Sequence, residues 1–154
     1  MTRLAVFLAT VGYCGYFPIA PGTVGSAAGL IVYALVWWTQ SPLLEVGLIL
    51  GLFAAGVWAG TVAERYFGGI DPGPIVLDEV VGMLITLAFI PVGLSGALAG
   101  FVLFRIFDVI KPFPAGRFER LHGGLGVMAD DAMAAVYANL SLRLAIWMLP
   151  GWIA

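Results

Sequence analysis

Residues 78–111 read DEVVGMLITLAFIPVGLSGALAGFVLFRIFDVIK. No charge interrupts the run from Val80 to Phe104. Asp78 and Glu79 stand before it, and Arg105, Asp108 and Lys111 follow it. A hydrocarbon core about 30 Å thick takes about 20 helical residues to cross, at about 1.5 Å per residue. One kinked span would put the two charged groups on opposite sides of a membrane. A hairpin turning at Pro91-Val92-Gly93-Leu94-Ser95 returns them to one side, where they can pair, with arms too short to cross a bilayer of full thickness. Pro91 and Gly93 are a good turn signal, so the hairpin is the reading adopted.

Composition sets the solvent for this hairpin. The chain has 154 residues, 62% hydrophobic and only 10% charged, with mean hydropathy +1.04. Average soluble domains are about 25% charged, so lipid is the expected surroundings for most of the chain. A net charge of −2 gives no basic surface for nucleic acid. The single Cys14 excludes an intramolecular disulfide. The apolar run after Arg3 reaches Tyr16-Phe17-Pro18 without a clear small-residue cleavage site, so the start is expected to be retained. No linker, low-complexity stretch or repeat breaks the sequence, and residues 1–154 read as one domain. The expected fold is all-α: a multi-pass membrane bundle of about six helices, near 2–13, 25–38, 43–67, 79–90, 95–110 and 129–149. A second hairpin turns around Thr39-Gln40-Ser41-Pro42. Arg65, Arg105, Lys111, Arg117 and Arg120 gather at one end, and the opposite turns carry only Glu45. Basic residues stay in the cytoplasm, so that end should face it.

Four motifs carry candidate chemistry. Adjacent Asp78 and Glu79 repel each other unless a cation or proton intervenes, and their hard oxygens suit Mg²⁺; helix capping is the plainer alternative. Arg105, Asp108 and Lys111 follow one another at one-turn spacing, and charges on an apolar helix usually mark function; a self-neutralising pair with a snorkelling lysine would also account for them. In His122-Gly123-Gly124-Leu125-Gly126-Val127-Met128-Ala129-Asp130-Asp131, a glycine loop leads into a helix whose first turn is expected to hold Asp130 and Asp131. Backbone N–H groups at Gly124 and Gly126 can cradle phosphate, and the aspartates can hold a metal beside it; a flexible loop with capping aspartates remains open. Thr23 and Ser26, in Pro21-Gly22-Thr23-Val24-Gly25-Ser26, cap a following helix or bind phosphate. Asp71 is a turn residue or a further ligand. Taken together at one end, these carboxylates, cations and glycines fit a divalent-metal and phosphate site better than several coincident caps.

These motifs in this order closely resemble the phosphatidylglycerophosphatase A family: Pro21-Gly22-Thr23-x-Gly25-Ser26, Asp78-Glu79-x-x-Gly82-Met83, Phe104-Arg105-x-x-Asp108-x-x-Lys111-Pro112 and Gly123-Gly124-x-Gly126-x-Met128-x-Asp130-Asp131. Asp71 and His122 also stand where that family typically has Asp and His. The resemblance implies a Mg²⁺-dependent, multi-pass enzyme of the bacterial inner membrane. It implies removal of the terminal phosphate of phosphatidylglycerophosphate, a phospholipid, to give phosphatidylglycerol and inorganic phosphate.

The expected mechanism is metal-assisted phosphomonoester hydrolysis. Asp78, Glu79, Asp130 and Asp131 hold one or two Mg²⁺ ions, with Asp71 and Asp108 as further candidates. Arg105 clamps the phosphate and Lys111 adds a point charge; Thr23, Ser26, Gly124, Gly126 and His122 complete the expected phosphate contacts. A carboxylate either activates water or attacks directly. Two competing functions make different demands on the sequence. A transporter binding a cation through its acids predicts carboxylates near the bilayer midplane, whereas these cluster at helix ends. A phosphatidyl-transferring synthase predicts an Asp–Gly–Ala–Arg signature that the chain lacks. Cys14 is not followed by Arg six residues later, and His122 is the only histidine, so cysteine- and two-histidine phosphatase mechanisms fit poorly.

Overall fold

The computed structural model describes residues 1–118 and 120–149; Glu119 lies outside them. Among the described residues every regular element is helical: α1 (Thr2–Ala9), a single 3-10 turn (Cys14–Tyr16), α2 (Pro21–Trp38), α3 (Pro42–Phe67), α4 (Leu77–Leu87), α5 (Leu94–Ile110), the one-turn α6 (Ala115–Phe118) and α7 (Gly124–Met148). The all-α expectation holds, and each of the six expected helices is present.

Three helix starts or ends differ from the sequence reading by four residues or more. The first helix stops at Ala9 instead of running to residue 13. Thr10 is buried there; its Oγ1 accepts the Tyr13 N–H at 3.1 Å, and Val11 and Tyr13 take positive φ. The second helix begins at Pro21, where proline fits the first helical position because no N–H is needed there. The last helix begins at Gly124, so its glycines form the first turn and Asp130 and Asp131 fall beyond it.

α4 is the centre of the bundle. It packs against α2, α3, α5 and α7, and nine of its residues are buried, Asp78 among them. Met83, Leu84 and Leu87 join Phe104 of α5, Tyr33 of α2 and Ala134, Ala138 and Leu142 of α7 in one core. Glycine permits the close approach. Gly22, Gly25 and Gly29 line the face of α2 that meets α4; a Cβ on Gly29 would stand 2.7 Å from Met83 Cβ, and one on Gly25 2.7 Å from Val76 Cβ. Small residues at such spacing are how helices pack when no water drives them together. The outer surface is correspondingly apolar: Trp38, Leu43, Leu94, Val109 and Trp147 are each at least 75% exposed. α2 and α3 are long and apolar enough to cross a membrane.

Both hairpins form. α2 and α3 join through Thr39–Ser41, with the Ser41 hydroxyl accepting the Leu44 N–H at 3.3 Å. α4 ends at Leu87 and α5 starts at Leu94, which brings Glu79 and Arg105 within 3.9 Å of each other. A helix that stops inside a bundle leaves its last carbonyls without partners. Here α7 supplies them. Asn139 Nδ2 donates toward the carbonyls of Ile85 (3.1 Å), Thr86 (3.0 Å) and Ala88 (3.2 Å). Arg143 Nη2 donates to Ala88 at 3.0 Å, and its Nε donates to Asn139 Oδ1 at 2.8 Å. The Tyr33 hydroxyl donates to Ile90 at 3.1 Å, and Glu45 accepts the Phe89 N–H at 3.3 Å. Arg143, on α7, thus joins Glu45 at the end opposite the charged cluster, where the connecting turns themselves carry no further charge.

Candidate active site

The N-terminal end of α4, the C-terminal end of α5 and the early turns of α7 meet at the charged end of the bundle. Asp78 and Glu79 come from the first turn of α4, Arg105 and Asp108 from α5, and Asp130 and Asp131 from α7. Asp78, Glu79 and Asp131 each offer a carboxylate oxygen, and these oxygens lie within 4.8 Å of one another. Asp78 Oδ1, Glu79 Oε2 and Asp131 Oδ2 are buried without a hydrogen-bond partner. Buried polar atoms are normally satisfied, and buried like charges at this separation repel. Hard anionic oxygens facing one another without donors are what a divalent cation completes. The donor set therefore fits a magnesium-type ion.

Side-chain N-capping does not explain these acids, although Asp78 and Glu79 stand in the first turn of α4, where its dipole favours them. The N-cap of α4 is Val76, that of α7 is Gly123 and that of α2 is Ala20, none with a side-chain cap. The plain alternatives for Asp78, Asp130, Asp131, Thr23 and Ser26 as N-caps are therefore not realised.

The cations are held by the remaining acids. Arg105 Nη1 donates to Asp108 Oδ2 at 2.6 Å and stands 3.9 Å from Glu79 Oε1. Lys111 Nζ donates to Asp130 Oδ2 at 2.6 Å, and Asp130 Oδ1 accepts the Asp131 N–H at 2.9 Å. Both oxygens of Asp130 are thus engaged. Adjacent in sequence, Asp130 and Asp131 divide the work: one anchors Lys111 and the other faces Asp78 and Glu79. This separates Asp130 from the expected ligand set. Lys111 lies just past α5, in a left-handed conformation. Burial works against its ammonium, but Asp130, then Asp131 and Asp71, outweigh it and push its pKa above the ordinary lysine value.

The other expected residues are spread around this centre. Asp71 sits in the α3–α4 connection with φ 47°; its N–H donates to Glu64 Oε1 at 3.2 Å. Its charge is felt at Asp78 and Lys111, yet it is outside the group of three converging carboxylates. Ser26 is buried, its hydroxyl donating to Gly22 at 2.9 Å within its own helix; Thr23 is exposed. Gly22 in the same turn reaches the cluster: a Cβ there would collide with Glu79 Oε1 and lie 2.9 Å from Arg105 Nη1.

The glycine loop serves packing instead of a phosphate cradle. The Gly124 N–H donates to Thr61 Oγ1 at 2.9 Å, and the Gly126 N–H to the Gly123 carbonyl at 2.9 Å. A Cβ on Gly124 would lie 2.7 Å from the Thr61 nitrogen. The glycines let α7 touch the backbone of α3, and their donors are already committed. His122 is exposed and lines a separate cleft with Thr61, Glu64, Arg65, Ile70 and Gly123. In the sequence Arg65 is only one of the basic charges at this end, and Glu64 is its neighbour. Their spacing from Asp71 was too irregular to reveal the contact across the turn.

A family model for phosphatidylglycerophosphatase A matches residues 7–146. Proteins named phosphatidylglycerophosphatase A from Escherichia coli and Haemophilus influenzae are each 40% identical to the chain. The first match covers 84% of this chain and 76% of that protein, the second 94% and 91%. A Bacteroides thetaiotaomicron protein, whose name proposes phosphatidylinositol-3-phosphatase activity, is 35% identical over 95% of this chain and 96% of its own. No solved structure matches the chain. The matched span contains every residue of the charged centre, from Asp78 to Asp131, and the chain belongs to the phosphatidylglycerophosphatase A family, a family of phosphatases.

Proposed function

We propose that this chain is a Mg²⁺-dependent lipid phosphatase of the bacterial inner membrane. In this reading it hydrolyses the terminal phosphate of phosphatidylglycerophosphate to phosphatidylglycerol and inorganic phosphate on the cytoplasmic side. The observation that carries the metal dependence is the trio of buried, partnerless oxygens on Asp78, Glu79 and Asp131. The substrate rests on the names of the E. coli and H. influenzae relatives.

A divalent ion on Asp78, Glu79 and Asp131 would offset the charge that develops on the phosphoryl oxygens. The protein's own groups do the rest. Arg105 spends one donor on Asp108 and keeps further N–H groups of its planar fork for phosphate oxygens. Asp108 holds that guanidinium at the rim of the carboxylate group, and Asp130 does the same for Lys111. In hydrolysis the bond from phosphorus to the glycerol oxygen breaks, water supplies the new oxygen, and the released alcohol gains a proton.

Helix lengths and the apolar surface support this membrane arrangement. α2 and α3 cross as a hairpin, and α7, about 37 Å long at about 1.5 Å per residue, crosses beside them. The α4–α5 hairpin descends from the site side and turns within the bilayer. Arg65, Arg105, Lys111, Arg117 and Arg120 put the larger basic count at the site end, which favours a cytoplasmic site.

Purified protein, stripped of metal with a chelator, is assayed for phosphate release with and without added Mg²⁺. Phosphatidylglycerophosphate and phosphatidylinositol 3-phosphate are compared, because the Bacteroides relative's name makes the second the competing substrate. Mg²⁺-dependent release favouring phosphatidylglycerophosphate is expected. Undiminished release in chelator sinks the metal assignment, and preference for the inositol lipid sinks the substrate assignment.

A further inference from the structure

The C-terminal end of α3 and the start of α7 form a cleft of about 310 Å³, lined by Thr61, Glu64, Arg65, Ile70, His122 and Gly123. That volume is at the lower end for small-molecule sites. Its polar groups are unevenly committed. Thr61 is used up, donating to Val57 at 2.7 Å and accepting from Gly124. Glu64 gives one oxygen to the Asp71 N–H, leaving the other to accept. Arg65 and His122 have no hydrogen bond or ion pair with any described residue, and both are exposed at the cleft. Arg105 and Lys111, by contrast, are both held by carboxylates of the centre.

Two chain segments lead from the cleft to the centre. Asp71, bonded to Glu64 on one wall, acts electrostatically on Asp78 and Lys111. Gly123, on the other wall, is the N-cap of the helix that carries Asp130 and Asp131.

We infer that this cleft is a headgroup subsite that binds the phosphodiester of the lipid substrate while its terminal phosphomonoester lies at the carboxylate centre. The inference rests on the lipid phosphatase reading and adds a second anion site to it. Arg65 supplies a planar pair of donors and His122 a further N–H, the chemistry that recognises a phosphodiester. The free oxygen of Glu64 accepts from a headgroup hydroxyl. A carboxylate there also repels a dianionic monoester more than a monoanionic diester, which keeps the reacting phosphate out of the cleft. Phosphatidylglycerophosphate and phosphatidylinositol 3-phosphate both carry one diester and one monoester, so the cleft serves either.

The test uses glycerophosphoglycerol, a diester with no monoester, and inorganic phosphate as probes on the full chain. Ligand-observed NMR measures binding of each, so the test stands whether or not a lipid is turned over. Wild-type protein should bind both, without mutual displacement. Arg65→Ala should weaken glycerophosphoglycerol about tenfold, the scale of one charge-assisted hydrogen bond, and leave phosphate within about twofold. Arg65→Lys should recover part of that loss. In turnover, most of the Arg65→Ala defect should lie in KM and not in kcat. The subsite is refuted if glycerophosphoglycerol does not bind wild type, if phosphate displaces it, or if Arg65→Ala weakens both probes equally or neither. Turnover of neither lipid by wild type would instead defeat the phosphatase reading.

Discussion

Replacing Asn139 with leucine removes a side-chain amide while nearly keeping its size, and its cost can be worked out carbonyl by carbonyl. Asn139 Nδ2 serves Ile85, Thr86 and Ala88. Ile85 keeps the Ala88 N–H at 3.2 Å, and Ala88 keeps Arg143 at 3.0 Å. Among the described bonds beyond the helix ladder, Thr86 has only Asn139. The substitution therefore orphans one buried carbonyl outright, at about 1–3 kcal/mol. It also removes the acceptor that aims Arg143. Interhelical hydrogen bonds in membrane proteins average nearer about 0.6 kcal/mol, because the unfolded chain in lipid finds other partners. That helps less here, since the orphaned group is a backbone carbonyl at the end of a short helix. The expected loss is about 2 kcal/mol, or about 4–8 °C in Tm for a chain of this size. Thermal unfolding of the detergent-solubilised protein measures it. A Tm for Asn139→Leu within about 1 °C of wild type would show that α4 does not depend on this anchor.

Asp131→Asn should raise the melting temperature of metal-free protein by relieving carboxylate repulsion, and should abolish the further rise that Mg²⁺ gives wild type, about 2.7 kcal/mol at a hundredfold excess over Kd; an unchanged Mg²⁺ response would remove Asp131 from the ligand set. Lys111→Met leaves Asp130, 2% exposed, without its counter-charge. It should cost about 3–5 kcal/mol in denaturant unfolding, and adding Asp130→Leu should recover most of it; equal stability of single and double variants contradicts the buried-pair account. Gly29→Ala, whose Cβ would meet Met83 Cβ at 2.7 Å, should cost about 1–3 kcal/mol. Gly51→Ala, with open space around its Cβ, should be neutral or stabilising by up to about 1 kcal/mol; similar effects at both positions would refute the close-packed α2–α4 interface.

The parts legible in the sequence were those set by local chemistry. Pro91 and Gly93 cannot continue a helix comfortably, so the α4–α5 turn is written where it occurs. Asp78 and Glu79 announce themselves because two acids at the mouth of an apolar helix need a partner. The start of α7 was not legible. Gly123-Gly124-Leu125-Gly126 has poor local helix propensity, yet Gly124 is helical because only a residue without Cβ can lie against Val57 and Thr61 of α3. That tertiary demand overrides propensity and moves the glycines from phosphate binding to packing. The different tasks of Asp130 and Asp131 were equally hidden: neighbours in sequence, they project toward Lys111 and toward Asp78, and only the placement of α4 and α5 separates them. Asn139 and Arg143 are polar residues on an apolar helix, but the groups they anchor are backbone carbonyls, which carry no sequence signature.

The central claim is that Asp78, Glu79 and Asp131 together hold the divalent ion on which phosphate release depends. The most direct measurement is the ligand set of Mn²⁺ substituted for Mg²⁺, located by anomalous diffraction from crystals of the full chain grown at a metal concentration that saturates turnover. The account predicts an ion bound to oxygens of all three residues, with Asp130 remaining on Lys111. An ion held elsewhere, or no ion between these carboxylates at saturating metal, contradicts it.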